Sequence, residues 1–154
     1  MARQESEVRI SIESRFENIE LIDVVAEAAL QHLGASRETA ENAALAVREA
    51  VANGVLHGNR LQADRRVEVA MELFEDEVEI TVTDEGQGFD PKAVPDPLAA
   101  ENLLKPSGRG IFLMRTLMDH VEFSFNGSTG RGTLVRLRKR LKSADETAGA
   151  EDGG

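Results

Sequence analysis

Hydrophobic period changes along this chain in a fixed order, and that order limits the folds open to it. Val8, Ile10 and Ile12 alternate with Arg9, Ser11 and Glu13, the two-residue period of a half-buried strand. From Asn18 to Leu33 the period becomes helical, with Ile22, Val25, Ala29 and Leu33 on one stripe. Gly34 marks its end and Ser36 is placed to cap a second helix reaching about Leu56, packed through Ala43, Val47, Ala50, Val51 and Gly54. Two alternating runs follow, Val67–Leu73 and Val78–Val82, joined by a turn at Glu75-Asp76. Residues 89–107 then hold all four prolines, with room for one helical turn at Leu98–Leu104. A connection of that length in a compact domain is usually functional or disordered. A helix from about Arg109 to Asp119, a strand through Val121, Phe123 and Phe125, a turn at Gly127 and Gly130, and a strand Thr133–Leu137 complete the order.

Hairpin-paired strands with helices grouped apart predict an α+β fold: a two-layer sandwich, its mixed, mostly antiparallel sheet covered on one face by helices. The 154 residues suffice for one core. The reading divides them into a polar lead-in at 1–7, a domain at 8–142 with a lid at 89–107, and an acidic, disordered tail at 143–154.

Composition removes several functions. With 18 Lys plus Arg against 28 Asp plus Glu, the net charge of -10 opposes a phosphate backbone, so no nucleic-acid partner is expected. The absence of cysteine excludes disulfides, thiolate zinc sites and thiol catalysis. The amino terminus has no apolar signal segment, and no run nears the ~18 apolar residues of a membrane span. A soluble, cytoplasmic protein is expected.

Four segments hold residues fit for chemistry. Glu49, Asn53 and His57 recur every four residues on the second helix, away from its packed face. A carboxamide oxygen there suits Mg²⁺, and a carboxylate one turn away suits orienting or deprotonating a hydroxyl. The same pattern also fits a solvated polar stripe. Asp84-Glu85-Gly86-Gln87-Gly88 leaves a strand end, where an aspartate can accept from an exocyclic amine, or simply form an acidic turn. Ser107-Gly108-Arg109-Gly110 opens a helix, a place for phosphate or a plain joint. Gly130-Arg131-Gly132-Thr133 reads on its own as a hairpin turn. Neither G-x-G-x-x-G nor a P-loop is present. Arg136, Arg138, Lys139, Arg140 and Lys142 form a basic patch, either a charged sheet edge or a contact for an acidic protein.

In combination the four segments resemble the ATP-binding domains of the gyrase, Hsp90, histidine kinase and MutL superfamily. The run Glu49–Asn59 looks like its N box, Asp84-x-Gly86-x-Gly88 its G1 box, Gly108-x-Gly110 its G2 box, and Gly130-x-Gly132-Thr133 its terminal Gly-Thr motif. The resemblance covers roughly residues 8–140. With no dimerising hairpin ahead of the first strand, Arg48–Asn53 and Gly108–Arg115 resemble the stand-alone branch, the anti-sigma factor serine/threonine kinases. That resemblance implies ATP and Mg²⁺ as cofactors, with Asn53 as the metal ligand and Glu49 as the catalytic base. It implies that Asp84, Gly86, Gly88 and Thr133 hold adenine. His57 joins the nucleotide site, and Ser107, Gly108, Arg109 and Gly110 hold the phosphates. Where the family can place a lid arginine, this chain offers Lys105 or Arg109. The implied partners are a small antagonist of the STAS fold, phosphorylated on Ser or Thr, a sigma factor, and a second copy in a homodimer. The alternative is a nucleotide-sensing, partner-binding module without useful kinase activity; a phosphotransfer helper using His57, or a plain ATPase, is the third reading.

Overall fold

The computed structural model describes residues 4–86, 108–125 and 132–141. Five strands and three helices follow in the order β1 (Gln4–Glu13), α1 (Glu17–His32), α2 (Arg37–Asn53), β2 (Arg66–Phe74), β3 (Glu77–Thr83), α3 (Gly108–Leu117), β4 (His120–Phe125) and β5 (Thr133–Arg140). The strands form one sheet in the order β1-β2-β3-β5-β4. All four pairings are antiparallel, so the parallel pair implied by a mixed sheet is not found among the described residues.

Local chemistry sets the element ends. Gly34 takes φ +112, a left-handed value that glycine adopts without a Cβ penalty, and ends α1. Two residues on, the Ser36 hydroxyl accepts from the Thr39 N–H at 3.1 Å and caps α2 as expected. β1 starts at Gln4, four residues ahead of the apolar alternation. Its first residues are held by pairing, Gln4 with Phe74 and Ser6 with Leu73, and backbone pairing leaves no apolar signature. α2 stops as an α-helix at Asn53 and continues as one π-helical turn, Gly54–Gly58.

The helices cover one face of the sheet. Ile22 and Leu30 of α1, Val47 and Val51 of α2, and Met114 of α3 are fully buried with Val69, Met71, Ile80 and Leu137 of the strands. The opposite face is charged, as a one-sided antiparallel sheet requires. The expected lid at 89–107, the helical turn at Leu98–Leu104, the turn at Gly127 and Gly130, and the tail at 143–154 lie outside the described residues. Among the described residues no helix is long and apolar enough to cross a membrane.

Candidate functional site

The end of α2, the turn after β3 and the start of β5 meet at Asp84. This residue is 7% exposed. Its Oδ1 accepts from the Gly86 N–H at 3.0 Å and the Thr133 N–H at 3.2 Å. Its own N–H donates to the Thr133 carbonyl at 3.1 Å, and the Gly132 N–H donates to the Gly86 carbonyl at 2.6 Å. Among the described residues nothing hydrogen-bonds Oδ2. Burial pushes the Asp84 carboxyl above its ordinary range, and the Gly86 and Thr133 amides pull it partly back.

Close backbone approach shapes this pocket. A Cβ on Gly58 would lie 2.5 Å from Asp84 Oδ2, and one on Gly86 would overlap the Gly58 carbonyl. At Gly86 only glycine fits without moving main chain, and at Gly58 a Cβ would have to displace the Asp84 side chain. Gly54 and Gly58 bracket the π-helical turn, so that turn's backbone forms one wall of the pocket.

Asn53 ends α2 at the same place. It is 9% exposed, and neither Oδ1 nor Nδ2 has a hydrogen-bond partner among the described residues. A buried amide without a partner costs free energy, which marks the position as one shaped for something else. His57, half-buried on the π-helical turn, likewise has no partner for Nε2 among the described residues. Burial lowers its pKa, so its imidazole stays neutral near pH 7.

One turn before Asn53, Glu49 turns a 19%-exposed carboxylate toward α3. Arg48 Nη1 donates to Glu49 Oε2 at 3.2 Å. A Cβ on Gly110 would fall 2.7 Å from Glu49 Oε1. The first turn of α3 therefore packs its backbone on this carboxylate, a contact the spacing along the chain does not reveal. Arg109, next to it, is exposed. The structure thus joins Asp84, Gly86 and Thr133 by hydrogen bonds, places Asn53 directly before Gly54, where a Cβ would lie 3.4 Å from Asp84 Cβ, and sets Glu49 against Gly110. Gly88, Lys105 and Ser107 lie outside the described residues, and of Gly108 only the backbone is described.

Asn59, the last residue of the run resembling an N box, was given no role of its own by the sequence. Fully buried, it accepts from the Glu85 N–H at 2.8 Å and donates to Ser14 Oγ at 2.8 Å and the Arg66 carbonyl at 3.0 Å. Its partners are separated from it by up to 45 residues. The one local signal is an asparagine directly after a glycine-bounded turn.

The basic stretch does not form the expected charged edge: β5 lies inside the sheet, paired with β3 on one side and β4 on the other. Arg138 Nε donates to Glu79 Oε1 at 2.9 Å, and Arg136 lies 3.7 Å from both Glu79 and Glu122. Lys139 lies 3.7 Å from Asp119. Arg136, Arg138 and Lys139 are thus each paired with a carboxylate. Lys142 lies outside the described residues.

A family model described as histidine kinase-like ATPase domain matches residues 12–139. The chain is similar to an anti-sigma F factor of Clostridium beijerinckii, at 32% identity over 88% of this chain and 96% of the relative. It is similar to another from Clostridium novyi, at 30% identity over 91% of this chain and 98% of the relative. A serine-protein kinase RsbW of Staphylococcus epidermidis is 29% identical over 74% of this chain and 76% of its own length. Among solved structures, the RsbU and RsbW domains of a Mycobacterium tuberculosis protein superpose with a TM-score of 0.64 at 19% identity, a likeness of fold. That match takes in 89% of this chain and 33% of the other.

Proposed function

The chain belongs to the histidine kinase-like ATPase domain family, and we propose that it is an ATP-dependent serine/threonine protein kinase acting as an anti-sigma factor. The observation that carries the reading is Asn53, buried at the pocket with both amide atoms unpartnered among the described residues. Its Oδ1 is a hard oxygen of the kind Mg²⁺ takes, and the site fits that ion. When bound, Mg²⁺ would neutralise charge on the nucleotide phosphates. Asp84 Oδ2 accepts the exocyclic amine of adenine, with Gly86 and Thr133 holding the carboxylate in place. Arg109 and the backbone of Gly108 and Gly110, at the amino end of α3, face the phosphates; Gly88, Lys105 and Ser107 extend the site.

Phosphoryl transfer asks mainly for positioning and charge neutralisation. Glu49 orients the attacking hydroxyl and takes its proton. His57, neutral near pH 7, lines the nucleotide site. The partners are an anti-sigma antagonist of the STAS fold, phosphorylated on Ser or Thr, and a sigma factor; the protein acts in the cytoplasm as a homodimer.

Calorimetry with Mg²⁺·ATP, followed by transfer of labelled γ-phosphate to an antagonist, tests the reading. Asp84→Asn is expected to lose ATP binding. Glu49→Ala is expected to keep ATP binding and lose transfer by a factor of about 10² or more. Transfer that survives unchanged in Glu49→Ala removes its role as base. ATP-dependent partner capture with no transfer in the wild type would favour a nucleotide-sensing module instead.

A further inference from the structure

Asp84 is held from both sides along the main chain. On one side its N–H donates to the Thr133 carbonyl at 3.1 Å. On the other, the Asp84–Glu85 peptide is a rigid plane, and the N–H of that plane donates to Asn59 Oδ1 at 2.8 Å. Asn59 is itself fully buried. Its Nδ2 is anchored on Ser14 Oγ at 2.8 Å and on the Arg66 carbonyl at 3.0 Å. Ser14, fully buried too, donates onward to the Arg65 carbonyl at 2.7 Å. A chain of side-chain hydrogen bonds thus runs from the end of β1, through the loop before β2, to the peptide that aims Asp84.

We infer that Asn59 is a specificity-determining positioning residue, which sets the direction of the Asp84 carboxylate and so the preference for adenine over guanine. This rests on the reading of the pocket as an adenine site. Adenine presents an amine donor where guanine presents a carbonyl acceptor, so a fixed carboxylate oxygen favours the first and repels the second. Hydrogen bonds weaken steeply with angle. Freeing the Asp84–Glu85 plane therefore erodes the adenine bond, while phosphate contacts at α3 are untouched. The ratio of ATP to GTP affinity falls, rather than both affinities together.

The test measures Mg²⁺·ATP and Mg²⁺·GTP binding by calorimetry in the wild type, Asn59→Ala and Ser14→Ala, with circular dichroism and thermal melts confirming the fold. Asn59→Ala is expected to cut the ATP-to-GTP affinity ratio by about tenfold, the weight of one well-aligned hydrogen bond to a charged group. Ser14→Ala keeps the Glu85 bond and removes one of two anchors, so about a threefold cut is expected. Should Asn59→Ala not fold, Ser14→Ala alone decides. A folded variant with an unchanged ratio, or with both affinities lowered equally, overturns the inference and leaves the adenine site standing. A wild type that binds ATP no better than GTP overturns both.

Discussion

On the proposed reading of the site, placing the Asp84 carboxylate under the backbone of Gly58 sets nucleotide recognition against the stability of the ligand-free protein. Burial raises its pKa above the ordinary 3.8. The folded protein then holds that proton to higher pH than the unfolded chain, so this residue's contribution is lost as pH rises through 3.8 and beyond. Asp84→Asn is expected to raise the melting temperature at pH 7, by a margin over wild type that shrinks below pH 4, while abolishing ATP binding; paired melts and calorimetry check both. His57 has the opposite sign. Burial lowers its pKa below 6.5, so the unfolded chain takes up its proton first as pH falls. Stability is expected to drop as pH falls below 6.5, and His57→Gln to flatten that part of a melting-temperature profile. Both residues were legible because helical spacing and a strand-end aspartate are local patterns. Asn59 was not, because its role depends on Ser14, Arg66 and Glu85 arriving from three other segments.

Among the elements, α3 connects most directly to Glu49. Met114 and Met118 bury α3 against the core, and Gly110 sets its first turn on the Glu49 carboxylate. Gly110→Ala would place a methyl 2.7 Å from Glu49 Oε1. The flexible carboxylate can yield, so the expected result is a folded protein with normal ATP affinity and transfer reduced several-fold, read from kcat and KM together. At Gly86 the obstacle is the Gly58 main chain, which cannot rotate aside. Gly86→Ala is expected to lose about 2 kcal/mol of stability, measured by urea unfolding, together with ATP affinity. The period of α2 was readable up to Asn53. The π-helical turn beyond it was not, because spacing rules assume 3.6 residues per turn, and a wider turn is held by the Asn59 N–H reaching the Gly54 carbonyl at 2.7 Å.

Across the whole molecule the two faces of the sheet divide the work. One carries the helices and, at their ends, the pocket; the other carries charge. On that open face Glu79 holds both Arg136 and Arg138, and half-exposed ion pairs of this kind are worth little individually. Arg138→Ala is expected to cost about 1 kcal/mol or less, to cost less in high salt, and to leave ATP binding unchanged, as salt-titrated melts would show. The α+β sandwich was legible because antiparallel neighbours in sequence are neighbours in space. The pairing of β3 with β5 skips α3 and β4, and backbone partners at that distance leave no trace in local pattern. One property of the pocket bears on its capacity to evolve. Where Gly86 presses on the Gly58 carbonyl the obstacle is main chain, and substitution there offers no graded alternatives. A saturation library would return a near-empty column at Gly86, and, on the proposed reading, a lineage seeking a different base would have to change the aspartate or what aims it.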